Sequence, residues 1–112
     1  MFVDEKFPGE IQDVTIEPWR KILLDAAQYL RDHGHCKERL FDLGGKACIN
    51  GALYAATGRN YEEWNNGNAC EARSRVFAVI GVGGQYEMVD WNNSPERTAD
   101  EVINALELAA RS

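Results

Sequence analysis

Apolar positions between Trp19 and Leu30 recur at helical spacing. Trp19, Ile22, Leu23, Ala26, Ala27, Tyr29 and Leu30 share one face, and Lys21, Asp25, Gln28, Arg31 and Asp32 share the other. Only Leu24 departs from the pattern, which predicts an amphipathic helix from Pro18 to Asp32. Proline suits its first turn, and Gly34 closes it. A second helix is predicted over Gly44 to Gly58 (GGKACINGALYAATG). On a wheel at about 100° per residue, only Lys46, Asn50 and Thr57 make a polar stripe. A helix apolar in nearly every other direction is enclosed by its neighbours, so this segment is expected to be central. Ala47, Gly51 and Ala55, each four residues from the next, leave one flank almost without side-chain bulk.

Asn60 to Gly67 reads as a short helical turn, capped by Asn60 with Glu63 three residues on. The next helix is predicted to start at Asn68, whose side chain can cap the amide of Glu71. Its apolar arc is Ala69, Ala72, Val76, Phe77, Val79 and Ile80. Arg73 falls inside that arc and is expected to reach past its neighbours to water, the alternative being a buried acid partner. After Gly81, Gly83 and Gly84, residues Gln85 to Trp91 alternate poorly and suit a short extended segment. Thr98 to Glu101 is a capping box with acids at the positive end of the helix dipole. It opens a helix with Val102, Ile103, Ala105, Leu106, Ala109 and Ala110 on its buried face. The connection from His35 to Gly45 carries an apolar patch at Leu40, Phe41 and Leu43. The fold class expected is an all-α bundle of four main helices around a central helix rich in small residues. A short extended pair has room at Leu40 to Ala47 or at Gln85 to Trp91. Residues 18–112 form the single domain, and residues 1–17 an acidic arm.

Composition narrows the function classes. A chain of 112 residues, 45% hydrophobic and 27% charged, has the balance of an ordinary soluble domain. No apolar run approaches the ~20 residues of a membrane span, and the acidic N-terminal stretch has no signal-peptide core. Three cysteines cannot all pair with one another, which points to a reducing cytoplasm. The net charge is −6, with five acids against one base in residues 1–17 and six against two in residues 82–112. Acidic ends argue against nucleic acid as a partner. They suit a basic protein surface, so Asp4, Glu5 and Glu10 are candidate contacts.

The chemistry-bearing residues are few. His33, His35 and Cys36 lie within four positions, and with Cys48 and Cys70 they are the available ligands for tetrahedral zinc. Their spacing matches no common zinc pair, so no metal and no cofactor is expected. Cys48, close to a helix start, would gain thiolate character there, with His33 or His35 as base. The wheel instead sets it beside Ala52 and Ala55 on an apolar face, where a thiol is inert. The glycine run after Ile80 follows a helix, where a dinucleotide site needs a strand. Trp91 is expected to plug the core while Asn92 or Asn93 bonds backbone; read functionally, Trp91 is the wall of a surface pocket. The expected function is protein–protein interaction without catalysis, with self-association into a homo-oligomer also compatible. Trp91, Asn92 and Arg97 join the acidic arm as candidate contacts. The alternative is a small-molecule- or metal-binding enzyme centred on Cys48 and the Trp91–Asn92 loop.

Three stretches resemble a known family: LLDAAQYL (Leu23–Leu30), ACINGAL (Ala47–Leu53), and WNNSPERT (Trp91–Thr98) running into EVINALELA. The resemblance covers Pro18 to Arg111 and is to small proteins of unknown function found in actinobacteria and their phages. Members often place an aromatic residue shortly after the first helix, where this chain has His35. The resemblance supports the fold and brings no activity. A phage-encoded member would be expected to act by binding a host protein.

Overall fold

Helix α1 (Pro18–His33) buries Trp19, Leu23, Ala26, Ala27 and Leu30 in the computed structural model, which describes residues 16–112. This is the face its periodicity predicts. Gly34 ends the helix with φ +100°, its N–H bonded to the Leu30 carbonyl at 2.8 Å. Asp4, Glu5 and Glu10 lie outside the described residues. The helices that follow are α2 (Ile49–Ala56), α3 (Tyr61–Trp64), α4 (Gly67–Ile80), α5 (Gln85–Asn93) and α6 (Ala99–Arg111). Helix α1 packs on α6, α2 and α4; α4 also packs on α6, and α2 on α5. Leu23, Ile49, Leu53, Val76, Met88, Val102 and Leu106 fill the centre of this all-α domain. Among the described residues no helix is long and apolar enough to cross a membrane.

The predicted caps at Asn60 and Thr98 are present. Asn60 Oδ1 accepts the Glu63 N–H at 3.0 Å. Thr98 Oγ1 accepts the Glu101 N–H at 3.1 Å while Glu101 Oε1 accepts the Thr98 N–H at 2.9 Å. Elsewhere the boundaries move. Helix α4 starts at Gly67, not Asn68, because Asn66 Oδ1 takes the Ala69 N–H at 3.0 Å. Gln85 to Trp91 is helical rather than extended; Met88 and Asn92, one turn apart, are its buried residues.

Helix α2 begins at Ile49, five residues later than Gly44. Residues before it serve a looped connection whose backbone pairs with itself. Ala47 bridges both His35 and Phe41, so the extended pair near Leu40 to Ala47 exists as isolated bridges. Asp42 Oδ1 accepts the N–H groups of Gly44 and Lys46, each at 2.9 Å, and tightens the turn. The small flank of α2 meets this loop: a Cβ on Gly51 would lie 2.2 Å from the Leu40 carbonyl oxygen. Glycine is required there by backbone contact, which a side chain cannot displace.

Arginines stack on tryptophans and bond carbonyls at helix ends. Arg73 lies 4.0 Å from the Trp64 ring centroid and donates to the Trp64 carbonyl at 2.9 Å. Half-buried, it pairs with no acid among the described residues and rests on an aromatic face and an orphan carbonyl at the end of α3. Arg97 does the same at the end of α5, 3.9 Å over Trp91 with Nε donating to its carbonyl. Arg20 and Arg75 both stack on Trp19 and donate to the carbonyls of Ala110 and Ser112 at the end of α6.

Candidate functional site

Asn92 holds the connection between α1 and α2 in place. It is 1% exposed, and its Oδ1 accepts the Ile49 N–H at 2.9 Å. The same oxygen lies 2.7 Å from His35 Nε2; an amide oxygen carries no proton, so Nε2 is the protonated ring nitrogen. Asn92 Nδ2 donates to the Cys36 carbonyl at 3.4 Å and to Asn93 Oδ1 at 3.0 Å. Asn93 Oδ1 in turn accepts the Glu38 N–H at 2.8 Å, which fixes Glu38 at φ 66°. Lys37 Nζ completes the clamp on the carbonyls of Ser94 and Pro95 at 2.6 and 3.2 Å.

Among the predicted contact residues, Trp91 is half-buried beneath the Arg97 guanidinium, and Arg97 also reaches Glu101 at 3.6 Å. Trp91 packs half-buried against the core and both asparagines bond backbone, as expected; Asn92 is the more deeply buried, with 1% of it exposed to any partner. The residues considered for zinc do not gather. His33 stacks on Tyr29 at 4.2 Å, His35 is held by Asn92, and Cys36 Sγ lies 3.5 Å from the Arg39 and Lys46 carbonyls. Among the described residues no three His, Cys, Asp or Glu side chains could share a metal ion.

Cys48 is the N-cap of α2, its sulfur accepting the Gly51 N–H at 3.3 Å. Hydrogen bonds at a helix start favour thiolate, yet burial outweighs them and raises the thiol above its ordinary value of 9.0. Burial likewise raises Cys36, with the neighbouring Cys48 and Asp42 adding to it. Neither sulfur is poised as a nucleophile at neutral pH.

Three adjoining clefts share one residue, Asn50, in the first turn of α2. The first, about 370 Å³, lies between the 38–40 loop and α5, lined by Glu38, Arg39, Leu40, Cys48, Val89 and Asn93. The second, about 480 Å³, is lined by Trp64, Arg73, Phe77 and Gln85. The third, about 270 Å³, is walled by Leu40, Tyr54, Tyr61 and Trp64. Gln85 Nε2 donates to Asn50 Oδ1 at 2.5 Å, and among the described residues both amides keep further donors and acceptors unused. Tyr54 meets the Trp64 ring edge-on at 5.6 Å. Tyr61 is 72% exposed and Leu40 46%. The groove therefore combines aromatic and aliphatic walls around Tyr54, Tyr61 and Trp64 with a pair of amides and two arginines.

Sequence reasoning missed this surface apart from one trace. Asn50 stood out as a polar residue on an apolar helix, and that polarity marks the side open to the groove. Nothing in the spacing of Tyr61, Trp64, Arg73 and Gln85 signals that they meet.

No curated protein and no solved structure matches the chain. A family model does match, over residues 15–112, and by it the chain belongs to DUF6197, a family of unknown function.

Proposed function

We propose that this is a non-enzymatic binding protein acting by protein–protein interaction, with the Asn50 groove as its contact surface. The observation that carries the reading is the groove's lining. Concave, largely apolar walls with a few convergent amides suit a binding site, and exposed aromatic and arginine side chains are the residue types that anchor protein interfaces. Its ionisable members are Glu38, Arg39, Arg73, the phenols of Tyr54 and Tyr61 and the protonated Cys48 thiol, a set without a histidine or a paired carboxylate to serve as general base beside a nucleophile. Three unpaired cysteines suit action in a reducing cytoplasm.

A photo-cross-linking amino acid placed at Tyr61, in cells that make the protein, tests this. A covalent adduct with another protein is expected there, and not from the same probe at Leu108, an exposed residue of α6 outside the groove. Adducts formed equally at both positions, or a stoichiometric small molecule bound in place of a protein, would reject the reading.

A further inference from the structure

We infer that the Asn50 groove takes an extended, acid-bearing peptide segment that places one large apolar side chain between Tyr54, Tyr61 and Trp64. This rests on the groove being a protein-binding surface and specifies its partner. The first observation is charge. The chain carries −6 overall, yet the groove contains two arginines against one glutamate. Arg20, Arg31, Arg75 and Arg97 each pair with a carboxylate. Arg39 and Arg73, like Arg59 and Arg111 outside the groove, have no carboxylate within 4.0 Å among the described residues. Cationic groups left without acids on an acidic protein are complementary to an acid brought by the partner.

The second observation is how Arg73 is held. Stacking on Trp64, a bond to the Trp64 carbonyl and another from Nη2 to Cys70 Sγ at 3.3 Å fix its plane. A preset guanidinium loses little freedom when it grips a carboxylate, and it retains donors for that purpose.

The third is how the surfaces adjoin. Arg73 lies on Trp64 and Arg39 adjoins Leu40, both walls of the aromatic cleft, and Asn50 stands where all three clefts meet. Amides at that point can meet the N–H and C=O groups of an extended backbone crossing them, which helical segments have already paired internally. The aromatic cleft then receives a side chain, and acids one or two residues away reach Arg39 or Arg73. A nucleic acid would meet the same arginines but face repulsion from the acidic remainder of the chain.

The test pans a displayed library of random nine-residue peptides against the whole chain at low salt, then titrates the enriched peptide into labelled protein by NMR. Enriched sequences are expected to set Leu, Phe or Trp beside Asp or Glu. Their titration should move the side-chain amide signals of Asn50 and Gln85. The double change Arg39→Gln and Arg73→Gln should weaken binding by about tenfold or more, and added salt should weaken it too. If Arg73→Gln loosens the α3–α4 corner, Arg39→Gln alone, in an exposed loop, should still weaken binding severalfold. Peptides enriched for Lys or Arg that shift the same amides would overturn the acidic partner while leaving the groove as a protein site. No enrichment, or shifts confined to surfaces away from Asn50, would overturn the inference outright. Loss of the Tyr61 protein adduct would instead remove the reading on which it rests.

Discussion

The side-chain oxygen of Asn92 accepts the backbone N–H of Ile49 at 2.9 Å, so α2 starts on an atom supplied from the end of α5. A buried side chain thereby does what a local cap does elsewhere, and it ties two helices and a loop into one unit. Replacing Asn92 with Ala strands the Ile49 N–H, the His35 ring and the Cys36 carbonyl. The buried Ile49 N–H costs about 1–3 kcal/mol to abandon and the two part-buried groups less, so a loss of about 2–4 kcal/mol is expected. A urea midpoint that falls without a change in slope would show it; an unmoved midpoint would mean that water replaces the amide.

Two glycines should answer the same substitution with opposite signs. Gly51→Ala drives a methyl into the Leu40 carbonyl and should cost about 1–3 kcal/mol or more. Gly67, in the first turn of α4, has open space around its Cβ position, and Gly67→Ala should gain about 0.4–1 kcal/mol. Ala55 is half-exposed, so Ala55→Leu should cost less than Gly51→Ala. Thermal melts of the three variants rank them, and equal melting of the two glycine variants would contradict the loop–helix contact.

Thr98→Ala removes a reciprocal cap and should cost about 1 kcal/mol. Its partner adds a pH signature. Bonding to the Thr98 N–H, helped by Arg97, holds the Glu101 carboxyl below its ordinary 4.5. A group lowered by folding stabilises above its unfolded value and loses that contribution as pH falls through the folded one. The stability gap between parent and Glu101→Gln should therefore narrow below pH 4.5. A gap constant from pH 7 to 3 would argue that the carboxylate is not held.

The thiols should differ in reactivity and set an alkaline limit. Cys70 is exposed and Cys48 buried, so iodoacetamide should modify Cys70 first and Cys48 only as the chain opens. Burial raises Cys48 and Cys36 above 9.0 in the folded protein. Above that pH the unfolded chain binds fewer protons than the folded one, so stability is complete below 9.0 and declines as pH climbs through the raised values. A double Cys-to-Ser variant whose alkaline stability profile matches the parent's would refute this.

What the sequence disclosed depended on whether burial repeats along one face. Helices α1 and α6 bury a continuous apolar stripe, so periodicity found them to within a residue or two. Helix α5 buries Met88 and Asn92, one of them polar, and a stripe of that kind leaves no hydrophobic period to read. Asn66 and Asn68 are equally good caps by type, and Gly67 between them looks like a stop. The apolar run before Ile49 looked helical because composition cannot tell backbone pairing in a loop from a buried helical turn. The candidate groove was hidden for another reason. Its walls come from residues 38–40, 48–64, 73–77 and 85–93, each ordinary in its own segment, and the arrangement exists only after α2 and α5 are joined by Asn92.

The last turn of a helix is ordinarily the first to fray. In α6 that turn is gripped by Arg20 from α1 and Arg75 from α4, both lying on Trp19. Opening it therefore means lifting two guanidinium groups off a tryptophan that is itself part of the core. Amide hydrogens near Ala109 and Ala110 should exchange with solvent about as slowly as those at Leu106, through opening of the whole domain. Arg75→Lys keeps the charge but gives up the flat stacking surface, and it should turn this stretch into an independently fraying segment while the rest of the bundle stays closed.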